Sequence, residues 1–535
     1  MRSASLYSDS IGHSSVSVSA ASQPSSYASS LQPSSNCHPH TAPEHLAVLA
    51  WLFGLEPPSV GTARVLELGC GSGANLLPFA TRNRRAKVLG IDRSDDAVES
   101  GLQAVRQLGL NNVRLHAADL GEITGELGQF DYIICHDHYS HLSSQDRRAV
   151  ARICKENLAA NGIAYVNFNT YPGWKSREMV RDAMLLRLSG RVPGVQELAE
   201  AQGMYDFLKR WAHLGGNALK GAVEECESLR GDPARLSTFL EPSNTPFYLT
   251  DFVQRFEQHG LAYLADTRAA GMFINHFPEG VQQALLSECG NSQVALEQYF
   301  DILTNRSSRQ TLLVHAEQAG AIRYRLAPER LAKLHVTARF ECEGAVQLDD
   351  SEQSFRVADG RRVGLRGAAM KVAAYRLNEV WPRTQNLPAL LAYVEQQLGS
   401  LPPNADAQLL DLFEHIVVSD FGRFRLSAVV GGPGAAGMPR VDPEVIAYAQ
   451  LSGCIEGSVT FNPWHESVTL DAFSALLLPL LDGCHTQDEL LEVIADAVAE
   501  GRLGFLRDDR PITDRAELGR VGVLHLHRVL ESLLA

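Results

Sequence analysis

The sequence predicts an α/β protein with a Rossmann-like core, a helical insertion, an α+β middle region and a mainly α, winged-helix-like C-terminal region. Three observations carry this. Short apolar runs alternate with helical patterns from residue 43 to about 174, the rhythm of a parallel sheet with crossover helices. The first run ends in a glycine turn, VLELGCGSG. After Trp174 the rhythm becomes helical before two further strand-like runs return.

The elements follow in order. The serine-rich stretch 1–42 has no continuous apolar core and reads as a disordered arm rather than a secretory signal. PEHLAVLAWLFGL, from Pro43, places Leu46, Leu49, Leu52 and Phe53 at helical spacing. Val65, Leu66 and Leu68 mark a first buried strand, and a helix starts near Asn75 after the glycines. AKVLGIDRS (86–94) is a second strand ending in an acid, followed by a helix closed by Gly109. VRLHAADL is a third strand and FDYIICHDHY a fourth. DRRAVARICKENLAANG is a helix, and IAYVNFNTYPGW a fifth strand. Residues 246–267 and 305–317 supply two more strands that complete the sheet, which makes 175–245 an insertion within a core of 43–318. Region 319–429 mixes strands such as SFRVADGRRVGL with helices such as AAMKVAAYRLNEV, and 440–535 is helical beyond a Gly/Pro linker.

Composition narrows the function. The chain has 535 residues, and about 150 residues per domain gives three or four domains. The net charge of −14 argues against a broad nucleic-acid surface. Nine cysteines without a C-x-x-C pair indicate a reducing, cytoplasmic setting. No apolar run approaches the ~20 residues of a membrane span.

The chemistry is concentrated at the strand ends. Gly69, Gly71 and Gly73 let backbone approach a ligand closely, and Asp92 ends the next strand, where an acid binds a ribose diol. A nicotinamide turn shares this glycine logic. Glu67, two residues before the first glycine, would repel a pyrophosphate and suits the ammonium and sulfonium of S-adenosyl-L-methionine. Asp119 ends strand three, where it accepts from an adenine amine or caps a helix. Strand four ends in CHDHYSHLS. His136-x-His138-x-x-His141 resembles a zinc signature, but Ser140 stands where its aspartate belongs, so no metal is expected. His136 and Tyr139 are placed to orient or deprotonate an amine, and Asp137 and His138 add acid–base capacity. The stretch lacks the N-P-P-aromatic tetrad of adenine and amide methylators. Asn169, Tyr171 and Trp174 at the end of strand five wall an acceptor pocket, or Trp174 packs the insertion.

The pieces HLAVLAWLFGL, RVLELGCGSGANLLPFA, FDYIICH, NFNTYPGWK, FYLTDFVQRFEQHGLAYLAD and NRSSRQTLLVH run in order from about residue 45 to 317. In them the chain resembles the bacterial class I S-adenosylmethionine-dependent methyltransferases with a methyltransferase regulatory domain, which include rickettsial protein-lysine methyltransferases. The resemblance implies donor contacts at Glu67, Gly69, Gly71, Asp92, Asp119 and His136. It also implies an insertion suited to homodimerisation and appended domains that hold a protein substrate. Asp137, His138 and His141 stand where that pattern has glycine, valine and tryptophan, so the pocket floor is more polar. The expected activity is methyl transfer to a protein amino group, with a small-molecule acceptor, a donor-binding regulator and a metal-dependent hydrolase as alternatives.

Overall fold

The structure, a computed structural model, describes residues 16–20, 36–191, 194–429, 438–507, 510–512 and 514–534. It divides into two compact units, residues 31–429 and residues 430–535 with 1–30.

The first unit is built on a seven-stranded sheet: β1 (Arg64–Leu68), β2 (Lys87–Asp92), β3 (Val113–Ala117), β4 (Phe130–Cys135), β5 (Leu158–Asn169), β6 (Leu261–Asp266) and β7 (Ser308–His315). Their order is β3-β2-β1-β4-β5-β7-β6. β7 runs antiparallel to both its neighbours and the remaining pairs are parallel. Helices on the two faces demand apolar central strands, and Val65, Leu66, Ile133 and Ala164 are fully buried. Glu67 is the polar exception in β1 and is 3% exposed. The carboxyl ends of β1 and β4, adjacent in register through Leu68 and Cys135, form one side of the ligand crevice.

Several boundaries differ from expectation. β5 begins at Leu158, not at Ile163, because Leu158 pairs with Phe130 before the register shifts. The N-terminal region 1–42 is not wholly a disordered arm. Val16–Ala20 forms a strand that pairs antiparallel with Leu503–Arg507, and backbone pairing there needs no apolar run. Cys37, Thr41 and Ala42 are buried, held by side-chain hydrogen bonds that composition does not reveal. Residues 1–15 and 21–35 lie outside the described residues.

The insertion folds as helices Gly173–Leu188, Val195–Trp211, Gly216–Glu225 and Pro233–Phe239. They enclose their own core of Trp174, Val180, Met184, Tyr205, Val223 and Phe239. Region 319–429 is α+β, with a hairpin Glu352–Val357/Arg362–Arg366 turning at Asp359–Gly360 and helices Ala368–Val380, Leu387–Leu398 and Ala405–Ser419. It continues the core without a break. Arg330 donates to the carbonyls of Trp51, Leu55 and Gly54 at 2.7, 2.9 and 3.1 Å. In the second unit, helices Pro443–Gln450, Gln487–Ala499 and Arg515–Leu534 accompany a hairpin, Val459–Phe461/Ser467–Thr469.

Candidate functional site

The glycine turn after β1 has the geometry its sequence requires. Gly69, Gly71 and Gly73 have φ of +77°, +54° and +78°, a region L side chains rarely adopt. A Cβ on Gly71 would meet nothing within 4 Å, so a ligand can approach this backbone. A Cβ on Gly69 would lie 2.1 Å from His138 Cδ2. The His138 ring covers that glycine, and its Nε2 donates to Gly69 O at 2.7 Å.

Glu67 sits beneath the turn. Its Oε1 accepts from Asn75 Nδ2 at 2.8 Å, and its Oε2 is buried without a partner. Burial pushes its pKa up to about 8; the Asn75 hydrogen bond opposes this and Asp92 adds to it. Asp92 accepts from Gly71 N at 2.8 Å through Oδ2 and from Ser94 N at 2.9 Å through Oδ1. Each oxygen keeps a second lone pair, enough for a vicinal diol. Asp119, beyond the end of β3, is exposed and makes no side-chain capping bond. An orphaned acid, a diol acceptor and an open glycine backbone together fit a nucleoside joined to an amino acid.

A polar layer missed in the sequence covers this turn. His38 N and Thr41 Oγ1 both donate to Asn75 Oδ1 at 3.0 Å. The His38 ring lies tilted against His136, at 38° and with centroids 4.1 Å apart. His45 from the helix Pro43–Leu52 meets Thr267 O at 2.8 Å, and His40 Nδ1 is buried without a partner. The only signal for this layer was NCHPHTAPEH itself, a histidine-rich run before a proline-started helix.

His136 follows Cys135, the last residue of β4. Its Nδ1 meets Tyr165 Oη at 2.8 Å, and its Nε2 faces Asp137 Oδ2 at 3.4 Å. The carboxylate favours a proton on Nε2, leaving Nδ1 to accept from the Tyr165 hydroxyl. Burial drives the ring's pKa down to about 4 against the opposing pull of Asp137, so the ring is neutral near pH 7. Asp137 has φ +55° and is gripped by Asn167 on β5. Asn167 Oδ1 accepts from Asp137 N at 2.6 Å, and Asn167 Nδ2 donates to Asp137 Oδ1 at 2.6 Å.

Tyr139 does not join the site. It is 2% exposed and packs in the core against Phe247, Phe252 and Phe256, with ring centroids 5.3 to 5.8 Å away. Burial raises its pKa far beyond the range of a working base. The chain turns at this point, with His141 N and Leu142 N donating to His138 O, which swings Tyr139 inward. The three histidines do not converge either. His136, His138 and His141 bond to Tyr165, Gly69 O and Ser243 O respectively. Ser140 anchors Asn169 N at 2.8 Å. Among the described residues no group of three or more His, Cys, Asp or Glu side chains is arranged to hold a metal. Asn169 Nδ2 donates to Asn244 Oδ1 at 3.0 Å, and Tyr171 Oη donates to Glu178 Oε1 at 2.9 Å, which ties the end of β5 to the insertion. Trp174 packs on Phe239 inside the insertion core, at 5.9 Å between rings, and does not wall the crevice.

Three family models match the chain: "Methyltransferase domain" over residues 65–162, "Predicted methyltransferase regulatory domain" over 238–315, and "PKMT, C-terminal winged helix domain" over 438–535. An uncharacterized protein of Rickettsia prowazekii is 28% identical over 489 residues, covering 89% of this chain and 87% of the relative. A second R. prowazekii protein, also uncharacterized, is 30% identical over 222 residues, 41% of this chain and 89% of its own length. Among solved structures, PKMT2 from Rickettsia typhi in complex with AdoHcy aligns with a TM-score of 0.80 and 25% identity, covering 93% of this chain and 99% of that one.

Proposed function

Because the chain belongs to the S-adenosylmethionine-dependent methyltransferases that carry a methyltransferase regulatory domain, we propose that it methylates a lysine amino group of a protein. The observation that carries the donor site is buried Glu67, with one oxygen unpartnered, under the open glycine turn of β1. The protein acceptor is supported by the winged-helix match and by the likeness to a protein named as a PKMT over nearly the whole chain.

Glu67 would receive the donor's ammonium, Asp92 its ribose hydroxyls and Asp119 its adenine amine, with Gly69, Gly71 and Gly73 allowing close approach. When bound, S-adenosylmethionine supplies an electrophilic methyl group and leaves as AdoHcy. The protein's part is chiefly to align a neutral amine with that methyl and exclude water. His136, fixed by Tyr165 and Asp137 and neutral near pH 7, forms the floor of the crevice beside the β4 end. Asn169 and Tyr171 guide the acceptor chain along β5. Leu186, Val195, Phe207 and Leu214, exposed by 78, 78, 55 and 75% on the insertion, support a homodimer. Free cysteines throughout the described residues support a cytoplasmic setting. No described helix is long and apolar enough to cross a membrane.

The test is incubation of purified protein with methyl-labelled S-adenosylmethionine and host lysate. Label on a discrete protein, released as methyl-lysine on acid hydrolysis, is the expected result. Label confined to small molecules would overturn the protein acceptor and leave the donor assignment standing.

A further inference from the structure

Asp137, two residues beyond the end of β4, adopts a conformation that suits glycine better than aspartate. Its φ of +55° lies in the left-handed region that L side chains rarely adopt. Strain of this kind persists where the surroundings over-determine it, and it gathers at functional sites. Here the over-determination is explicit. Asn167, on the neighbouring strand, spends its whole amide on Asp137, one bond to the backbone N–H and one to Oδ1. The two residues bridge the carboxyl ends of β4 and β5.

The grip leaves Oδ2 available. It faces His136 Nε2 at 3.4 Å, and the Asp137 side chain is 64% exposed. The His136 ring is neutral, so it does not cancel the carboxylate's charge. Among the described residues, no arginine or lysine pairs with Asp137. The fold thus holds at the end of β4, in a rarely adopted backbone conformation, a carboxylate that has hydrogen-bond donors but no Arg or Lys partner among the described residues.

We propose that Asp137 is a specificity-determining residue of the acceptor site, whose carboxylate selects a cationic amine by attracting its ammonium form to the crevice between β4 and β5. The proposal rests on the amine-acceptor reading above and deepens it. The carboxylate recognises charge only. It is too weak a base to hold an amine's proton, which passes to water before transfer.

The experiment compares wild type with Asp137→Asn and Asp137→Gly in the full chain. Initial rates with labelled S-adenosylmethionine are measured against rising host-lysate protein, donor affinity by calorimetry, and Tm by thermal melt. Both variants should raise the apparent acceptor KM about tenfold, with donor affinity within about twofold. Wild-type KM should rise between about 50 and 300 mM salt while that of the variants stays flat. Asp137→Gly should melt higher than wild type, because glycine relieves the strain. An unchanged acceptor KM overturns the proposal. A lower Tm for Asp137→Gly also overturns it, since the carboxylate would then be a structural clamp. If wild type labels lysine and the variants keep their KM, only this proposal falls. If wild type labels an acceptor without an amine, the amine reading falls with it.

Discussion

The Asn75 amide joins Glu67 to the N-terminal residues: its Nδ2 donates to Glu67 Oε1 at 2.8 Å while its Oδ1 accepts from His38 N and Thr41 Oγ1. The acid below the donor turn is therefore held from one side only, and its free oxygen awaits a cation.

With Glu67 as the proposed receiver of the donor's ammonium, donor binding should depend on pH. Glu67 titrates near 8, so at pH 7 it is mostly protonated, and an ammonium ligand must displace that proton. Donor affinity should climb by up to roughly tenfold per pH unit below about 8 and level off above. Calorimetry at pH 7 in buffers of different ionisation enthalpy should register proton release, and Glu67→Gln should abolish both effects. The sign for stability is opposite. A carboxyl whose pKa is raised in the fold favours the native state below its unfolded value, and that contribution is lost as pH rises through about 8. The Tm of Glu67→Gln relative to wild type should therefore improve between pH 5 and 9.

The glycines of the turn should separate by what lies above them. Gly69→Ala meets both a positive φ and the His138 ring, and should cost about 2–4 kcal/mol in chemical denaturation. Adding His138→Ala should recover the steric part and leave the backbone strain. Gly71→Ala meets no atom, so it should cost only about 1 kcal/mol of stability while weakening donor affinity more than about tenfold.

Tyr139 offers a clean contrast between packing and catalysis. Tyr139→Phe should leave kcat within about twofold, because the hydroxyl is not at the crevice. Tyr139→Ala should destabilise by about 3–5 kcal/mol, read by urea titration, through the cavity opened among Phe247, Phe252 and Phe256.

Tyr165 should behave in the reverse manner. Tyr165→Phe leaves His136 Nδ1 buried without a donor, which costs about 1–3 kcal/mol and frees the ring to turn. Single-turnover kinetics should show the methyl-transfer step slowed about tenfold with donor affinity unchanged.

The strand ends that carry the proposed donor residues were legible because their determinants are local. Glu67 and Asp92 lie on two consecutive strands with the glycine turn between them, and each place follows from the local pattern. The sheet was legible for the same reason, since buried strands and amphipathic helices announce their own periods. The rest depended on distant partners. Tyr139 reads as crevice-facing from CHDHYSHLS, yet its orientation is set by three phenylalanines about a hundred residues downstream. Trp174 is likewise fixed by Phe239. His38 and Thr41 fall in a polar stretch whose order comes from hydrogen bonds to Asn75, and hydrogen bonds carry no hydrophobic pattern to detect. Tyr165 lies within the apolar run of β5, and nothing in that run marks its hydroxyl as the partner of His136.

The pairing of Val16–Ala20 with Leu503–Arg507 imposes a timetable on synthesis. The first of these strands leaves the ribosome hundreds of residues ahead of its partner, a delay on the order of tens of seconds at bacterial translation rates. Residues 31–429 form a continuous unit and can fold in that interval. The N-terminal strand meanwhile has no edge to join, and a chaperone that binds extended segments has its opportunity there. A nascent chain stalled before residue 503 should hold a folded methyltransferase core with its earliest strand still open to capture.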